Sequence, residues 1–208
     1  MPEPAPLKGL VLAGGRSVRM GADKAAVEFG GDALLDRAVA GLSVVVADVY
    51  VSAREAQRNE ALRSAYPLIV DRHEDIGPAA GILAAHLADP AAAWLVIACD
   101  MPLLDKESLA ALRDGRAHEM DASCLVVGEL APLEPLCAIY EPGTLARFQA
   151  LVEAGGNTSS RDWLANAATR RVVAPAEHVL RGANTGAELA ELKIELEAAE
   201  RASGRKQQ

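Results

Sequence analysis

Apolar residues in this chain fall into short, nearly unbroken runs separated by stretches of helical spacing. The runs Leu7–Ala13, Val44–Ser52, Leu68–Asp71 and Trp94–Cys99 are almost continuously apolar, as strands covered on both faces are. Ala122–Val127, Leu136–Tyr140 and Arg171–Ala174 continue the series. Between them, Ala33–Leu42, Glu55–Ser64, Ala79–Ala88 and Lys106–Arg113 repeat at a helical period, and Thr144–Glu153, Ser160–Asn166 and Ala187–Arg201 add further helices. Strand alternating with helix predicts an α/β fold, an open and mostly parallel sheet with helices on both faces. Glu129–Pro135, with two prolines, reads as a turn leading into a candidate antiparallel strand. No repeat or low-complexity linker divides the chain, so residues 1–208 read as one domain, with frayed ends near 1–6 and 202–208. In such sheets ligands gather at the carboxyl ends of the strands, so the residues just after each strand are the first to inspect.

Composition narrows the choice of ligand. Of the 208 residues half are apolar, which is enough for a sizeable core. Aromatic residues make up 3%, so platforms for stacking nucleic-acid bases are few. With 21 basic and 29 acidic side chains the net charge is −8, and an acidic chain is a poor general partner for polyanions. A phosphate-rich ligand would therefore need a local cluster of cations. The three cysteines, Cys99, Cys124 and Cys137, lack metal spacing, and the last two sit in apolar runs as buried free thiols. The four histidines show no metal spacing with one another either. No signal peptide and no apolar run of about 20 residues is present, so the expectation is a cytoplasmic protein without nucleic-acid or membrane partners.

The cation cluster exists. The first strand runs into Leu12, Ala13, Gly14 and Gly15, followed by Arg16, Ser17, Arg19 and Lys24, which places three cations within nine residues. Adjacent glycines permit a sharp turn and a close approach to a ligand, and exposed N–H groups of such a turn can cradle phosphate oxygens. Arginine meets phosphate through a fork and lysine as a point charge. Glycines alone would read as a strand-to-helix turn; the cations shift the balance toward phosphate. Neither GxxxxGKS/T nor GxGxxG is present, which excludes a Walker loop and the dinucleotide fingerprint.

Three more segments carry candidate chemistry, and two of them end at the same presumed edge. The run Leu95–Cys99 stops at Asp100, with Pro102 two residues on. A lone carboxylate there suits magnesium, which takes one or two carboxylates and fills its shell with water and phosphate; a helix cap or a solvated strand end would look the same. Asp71 closes the third strand, and Gly77-Pro78 with Gly81 open the following helix, where the glycines read as structural. Near the far end, Thr185 with Glu188 reads as a capping box, leaving Asn184 as a possible neutral oxygen ligand or phosphate contact.

Taken together, LAGGRSVRMGADK, Asp71, GPAAGI from Gly77, the apolar Pro135–Tyr140 run, CDMPLL from Cys99 and ANT at Ala183 resemble the nucleotidyltransferases that build molybdenum cofactor dinucleotides. The closest resemblance is to the molybdenum cofactor guanylyltransferases, the molybdopterin-guanine dinucleotide biosynthesis protein A family, over about residues 15 to 190. The resemblance implies a three-layer α/β/α Rossmann-like nucleotidyltransferase fold. It implies a magnesium-dependent (Mg2+) enzyme that transfers GMP from GTP to molybdopterin and releases pyrophosphate. By the same resemblance Leu12, Ala13, Gly14, Gly15, Lys24, Asp71 and Asp100 bind GTP, Asp100 holds the metal, and Arg19, Lys24 and Asp100 act in catalysis. It further implies proteins that deliver the pterin and accept the product. This chain departs from the pattern at Val51-Ser52-Ala53-Arg54, where the family has an Asn, and at Gly182-Ala183-Asn184-Thr185, which has one Asn instead of two.

Other readings stay open. Cytidylyltransferases on the same pterin usually carry Ala-Ala-Gly where this chain has Ala13-Gly14-Gly15, so the paired glycines lean toward guanine. A sugar-phosphate nucleotidyltransferase is more distant, and a non-catalytic nucleotide or cofactor carrier is a different class altogether.

Overall fold

A computed structural model describes residues 3–15, 23–73, 75–183 and 185–204, the last eight of these by backbone alone. A seven-stranded sheet forms the centre, and a small two-stranded hairpin lies apart from it. In chain order the strands are β1 (Leu7–Leu12), β2 (Glu28–Phe29), β3 (Asp32–Ala33), β4 (Val49–Ala53), β5 (Leu68–Val70), β6 (Ala93–Ala98), β7 (Ala122–Val126), β8 (Cys137–Tyr140) and β9 (Thr169–Val173). The helices are α1 (Leu34–Ser43), α2 (Ala61–Ser64), α3 (Ala79–Ala88), α4 (Lys106–Asp114), α5 (Pro142–Glu153), α6 (Ser160–Asn166) and α7 (Gly186–Gly204).

The sheet order is β5-β4-β1-β6-β8-β7-β9. β8 alone runs against its neighbours, pairing antiparallel with both β6 and β7, as the proline-flanked turn before it suggested. Both faces are covered, and successive residues of a strand enter opposite layers. Val11, Leu95, Ile97 and Ile139 pack with Leu35, Val39 and Leu42 of α1 and Leu109 and Leu112 of α4. Leu10, Trp94, Val96 and Tyr140 pack instead with Ile82 and Ala85 of α3, Leu145 of α5 and Leu164 of α6. All six residues of β6 are buried. Each fully buried Leu, Ile or Val contributes roughly 1.5–3 kcal/mol, so this central strand anchors the sheet. The result is the three-layer, mostly parallel architecture expected.

A smaller cluster lies beside the first layer. Phe29 of β2, Leu34 at the start of α1, Leu103 after β6, Ala183, and Leu189 and Leu192 of α7 pack together. No helix among the described residues is long and apolar enough to cross a membrane.

Several boundaries differ from the sequence reading. The run Val44–Ser52 is not one strand. Val45 and Val46 are buried, but their N–H groups bond back to Leu42 at the end of α1, and β4 begins only at Val49. Gly9 makes room for that ending, since a Cβ there would lie 2.7 Å from Leu42 and 2.8 Å from Val46. The helix expected over Glu55–Ser64 is two pieces, a 3-10 turn at Glu55–Gln57 and the short α2. Gln57 is buried and its side chain accepts the Arg54 N–H, which closes the first turn; extended backbone at Glu60 then separates it from α2. The β2–β3 hairpin was not expected. Gly30 (φ +64°) and Gly31 (φ +95°) form its two-residue turn, a conformation open to glycine at little cost. α7 extends beyond Arg201 to Gly204, and the carbonyls of Ala5 and Pro6 accept hydrogen bonds from Arg116 and Ala93.

Candidate active site

The carboxyl ends of β5, β4, β1 and β6 lie side by side, and β5, β1 and β6 each deliver residues singled out above. β1 ends at Leu12. Ala13 then donates its N–H to Ser52 of β4, and Leu12 accepts from Cys99, so the start of the glycine segment is fixed between its two neighbouring strands. Gly14 follows. A Cβ on it would come within 3.0 Å of Asp71 Oδ2, so the absent side chain is what lets Asp71 stand against the backbone of this turn. Among the described residues nothing lies within 4 Å of the corresponding position on Gly15.

Asp71 follows β5 directly and its N–H bonds Ala53. Its Oδ1 accepts the Ser52 hydroxyl at 2.6 Å. Burial pushes its carboxyl pKa up, while the Ser52 hydrogen bond and the nearby Arg54 charge pull the other way. Ser52 is itself buried, and it fits because α3 carries glycine opposite: a Cβ on Gly81 would sit 2.2 Å from Ser52 Oγ and 2.7 Å from Leu12. Gly81 is therefore structural, as read, but the contact it allows is with a residue that holds Asp71.

On the other side of β1, Asp100 lies past the end of β6. Lys24 Nζ donates to its Oδ2 at 3.0 Å, with the two side chains 18% and 25% exposed. Asp100 is not a helix cap; Asp105 does that for α4 by accepting the Ser108 N–H. The backbone carbonyl of Asp100 accepts from Ala183, which brings the fourth segment to the same edge. Thr185 and Glu188 form the expected capping box, each side chain accepting the other's N–H. Arg16, Ser17, Arg19 and Asn184 lie outside the described residues.

Three contributors were missed. Ser52 was noted only as part of a departure from the family pattern. Arg54, just past β4, donates Nε to the Gly14 carbonyl at 2.7 Å; the rule of searching after each strand would have found it. Arg63 is buried in α2 and bonds Ala13 and Asp23, 50 and 40 residues away, which no local pattern signals. It also pulls the Asp23 carboxyl below its usual range, chiefly through hydrogen bonding.

The chemistry of this edge is that of charge and backbone donors rather than of a nucleophile. Cys99 is buried, and burial pushes its thiol up to about 12, far from thiolate formation at neutral pH. His86 is buried in α3 with its pKa pushed down by burial, away from this edge. Among the described residues no three His, Cys, Asp or Glu side chains gather as a metal cage. What remains is a glycine turn flanked by carboxylates and by cations held on them, an arrangement that can receive an anionic ligand.

Comparison with known proteins agrees. A family described as the MobA-like NTP transferase domain matches residues 9–173. A probable molybdenum cofactor guanylyltransferase of Opitutus terrae is 36% identical over 86% of this chain and 89% of its own. A molybdenum cofactor biosynthesis bifunctional protein of Synechocystis is 35% identical over 69% of this chain, but that match spans only 41% of the longer relative. The crystal structure of molybdopterin-guanine dinucleotide biosynthesis protein A from Archaeoglobus fulgidus shares the fold, with a TM-score of 0.74 at 24% identity over 92% of this chain and 99% of that one. The chain therefore belongs to the MobA-like NTP transferase family.

Proposed function

We propose that this protein transfers GMP from GTP to molybdopterin, releasing pyrophosphate and forming the guanine dinucleotide of the molybdenum cofactor. The observation that carries the reading is the Lys24–Asp100 pair, 3.0 Å apart beside the Gly14 turn, in a chain of this family. The terminal phosphate of molybdopterin attacks the α-phosphorus of GTP in line; a new P–O bond forms there as the bond to the bridging oxygen breaks, and pyrophosphate leaves. The attacking phosphate is already an anion, so no strong base is needed. Catalysis is positioning and neutralisation of charge. Lys24, with Arg19 by resemblance, faces the departing pyrophosphate. Leu12, Ala13, Gly14 and Gly15 supply backbone to the nucleotide, and Asp71 contacts it from β5. Asn184 is a candidate contact for the pterin or its phosphate.

Magnesium is the metal the donor set fits. Asp100 is a partly exposed carboxylate with Lys24 on one oxygen, and no three-ligand cage stands near it among the described residues. A hard cation held by a single carboxylate must draw the rest of its shell from water and phosphate, as magnesium does. When bound it would neutralise phosphate charge at Asp100.

Pyrophosphate release measured with molybdopterin and each nucleoside triphosphate in turn tests the assignment. Turnover with GTP is expected. Turnover with CTP alone would make the chain a cytidylyltransferase, and GTP binding without turnover would make it a carrier. The cytoplasm, where the substrates would be met, and proteins that deliver the pterin and accept the product belong to the same proposal.

A further inference from the structure

We infer that Arg63, a residue of α2 outside every segment that reads as nucleotide-binding, is the positioning residue that fixes Lys24 against Asp100. The inference rests on the triphosphate reading above. The Arg63 side chain is 1% exposed, and each guanidinium nitrogen donates. Nε and Nη2 reach the Ala13 carbonyl at 3.2 and 2.7 Å. Nη2 and Nη1 reach the two Asp23 oxygens at 2.8 and 2.6 Å, and Nη1 also bonds the Glu60 carboxylate.

The two ends joined by this fork are the ones that matter. Ala13 immediately precedes Gly14, and Asp23 immediately precedes Lys24. One planar group therefore sets the separation between the backbone that enters the glycine turn and the backbone that presents the lysine. Asp23 passes the constraint on. Its carboxylate accepts the Ala25 N–H at 3.2 Å and its carbonyl the Ala26 N–H at 3.1 Å, while the Lys24 carbonyl accepts from Val27. The direction in which Lys24 leaves the chain is thus fixed by a turn whose cap is held by Arg63.

A buried ion pair is by itself weak evidence for fold stability. Buried ion pairs can often be replaced by apolar side chains without loss, so a buried guanidinium with every donor occupied is better explained by what it holds in place. It also counters a charge that would harm the site. Asp23 is a carboxylate one residue from Lys24 and would repel a triphosphate; Arg63 is its neutralising partner.

The experiment uses the full chain as Arg63→Met, Asp23→Asn and the double variant. Two measurements are made: steady-state kinetics with GTP, and amide hydrogen exchange at Ala25 to Val27 with β6 as the internal reference. Arg63→Met is expected to lower kcat/KM about a hundredfold with most of the change in kcat, because Lys24 acts on the departing pyrophosphate and misplacement by about 1 Å can cost that much. Asp23→Asn should lose less, and the double variant should be no worse than Arg63→Met, because the clamp is already broken. Exchange at Ala25 to Val27 should rise about tenfold or more in each variant while β6 stays protected. Additive kinetic losses, or exchange unchanged at Ala25 to Val27, overturn the clamp. If Arg63→Met does not fold, Asp23→Asn carries the same exchange test. A wild-type protein inactive with GTP whose variants still loosen at Ala25 to Val27 would sink the guanylyl reading and leave the clamp standing.

Discussion

Lys24 and Asp100, 76 residues apart in sequence, meet as an ion pair with 3.0 Å between Nζ and Oδ2 at the carboxyl edge of the sheet. Each is three-quarters or more buried, so each orients the other with less competition from water than a surface pair would face. Lys24→Ala and Asp100→Ala are expected to lower turnover by about 100- to 1000-fold, the range seen when one charge-stabilising donor is removed. Circular dichroism and melting temperature should stay close to wild type, because neither residue packs in the core. Near-normal pyrophosphate release from either folded variant would remove these residues from the mechanism.

The Ser52 hydroxyl acts on Asp71. Its hydrogen bond lowers a carboxyl pKa that burial raises, so Ser52→Ala should let that pKa rise further. If nucleotide binding needs Asp71 ionised, the acid limb of the kcat/KM profile for GTP moves to higher pH in Ser52→Ala and vanishes in Asp71→Asn. The sign for stability follows from the same direction. A carboxyl whose folded pKa is raised costs stability as pH climbs from its unfolded toward its folded value, so Asp71→Asn should be the more stable protein at neutral pH in urea denaturation. An acid limb that does not move, or moves down, would refute the role of Ser52.

Gly81 is the most tightly constrained glycine of the helical layers. A methyl group there would lie 2.2 Å from Ser52 Oγ and 2.7 Å from the Leu12 side chain. Gly81→Ala should cost about 1–3 kcal/mol in denaturant titration, as overpacking does. It should also weaken nucleotide binding through Ser52 and Asp71. Gly15→Ala, with no described residue within 4 Å, should leave the fold unchanged, so a large loss of stability there would contradict the packing described.

Removal of divalent metal should abolish pyrophosphate release, and added magnesium should restore it. In Asp100→Asn the magnesium concentration needed for half-maximal rate should rise at least tenfold, a change on the order of one charge-assisted contact. Full activity after exhaustive chelation would exclude the metal from this chemistry.

Much of this was legible in the sequence where the cause was local. β6 could be read within a residue because an unbroken apolar run between polar boundaries has few alternatives. α3 and α6 were placed over the residues they occupy. The capping box of Thr185 and Glu188 was legible because its partners are three residues apart. Errors arose where tertiary contacts decide. Val44–Val46 are apolar enough for a strand, yet they close α1 against Gly9. The turn at Gly30-Gly31 was passed over because its strands are two residues each. Gln57 and Arg63 sit in a segment of helical spacing, but one turns inward to hold Arg54 and the other to hold Ala13 and Asp23. A buried arginine whose partners are 40 and 50 residues distant leaves no periodic trace.

The small cluster of Phe29, Leu34, Leu103, Ala183, Leu189 and Leu192 has a consequence for synthesis. Every strand of the sheet, with Lys24, Asp71 and Asp100, leaves the ribosome before Ala183 does. Only then can the Ala183 N–H reach the Asp100 carbonyl, and only with Leu189 and Leu192 is the packing around Leu103 and the β2–β3 hairpin complete. The nascent chain can thus acquire its sheet while the seat of Asp100 is still open. Competence for the substrate would come late, as a separate and final step of maturation.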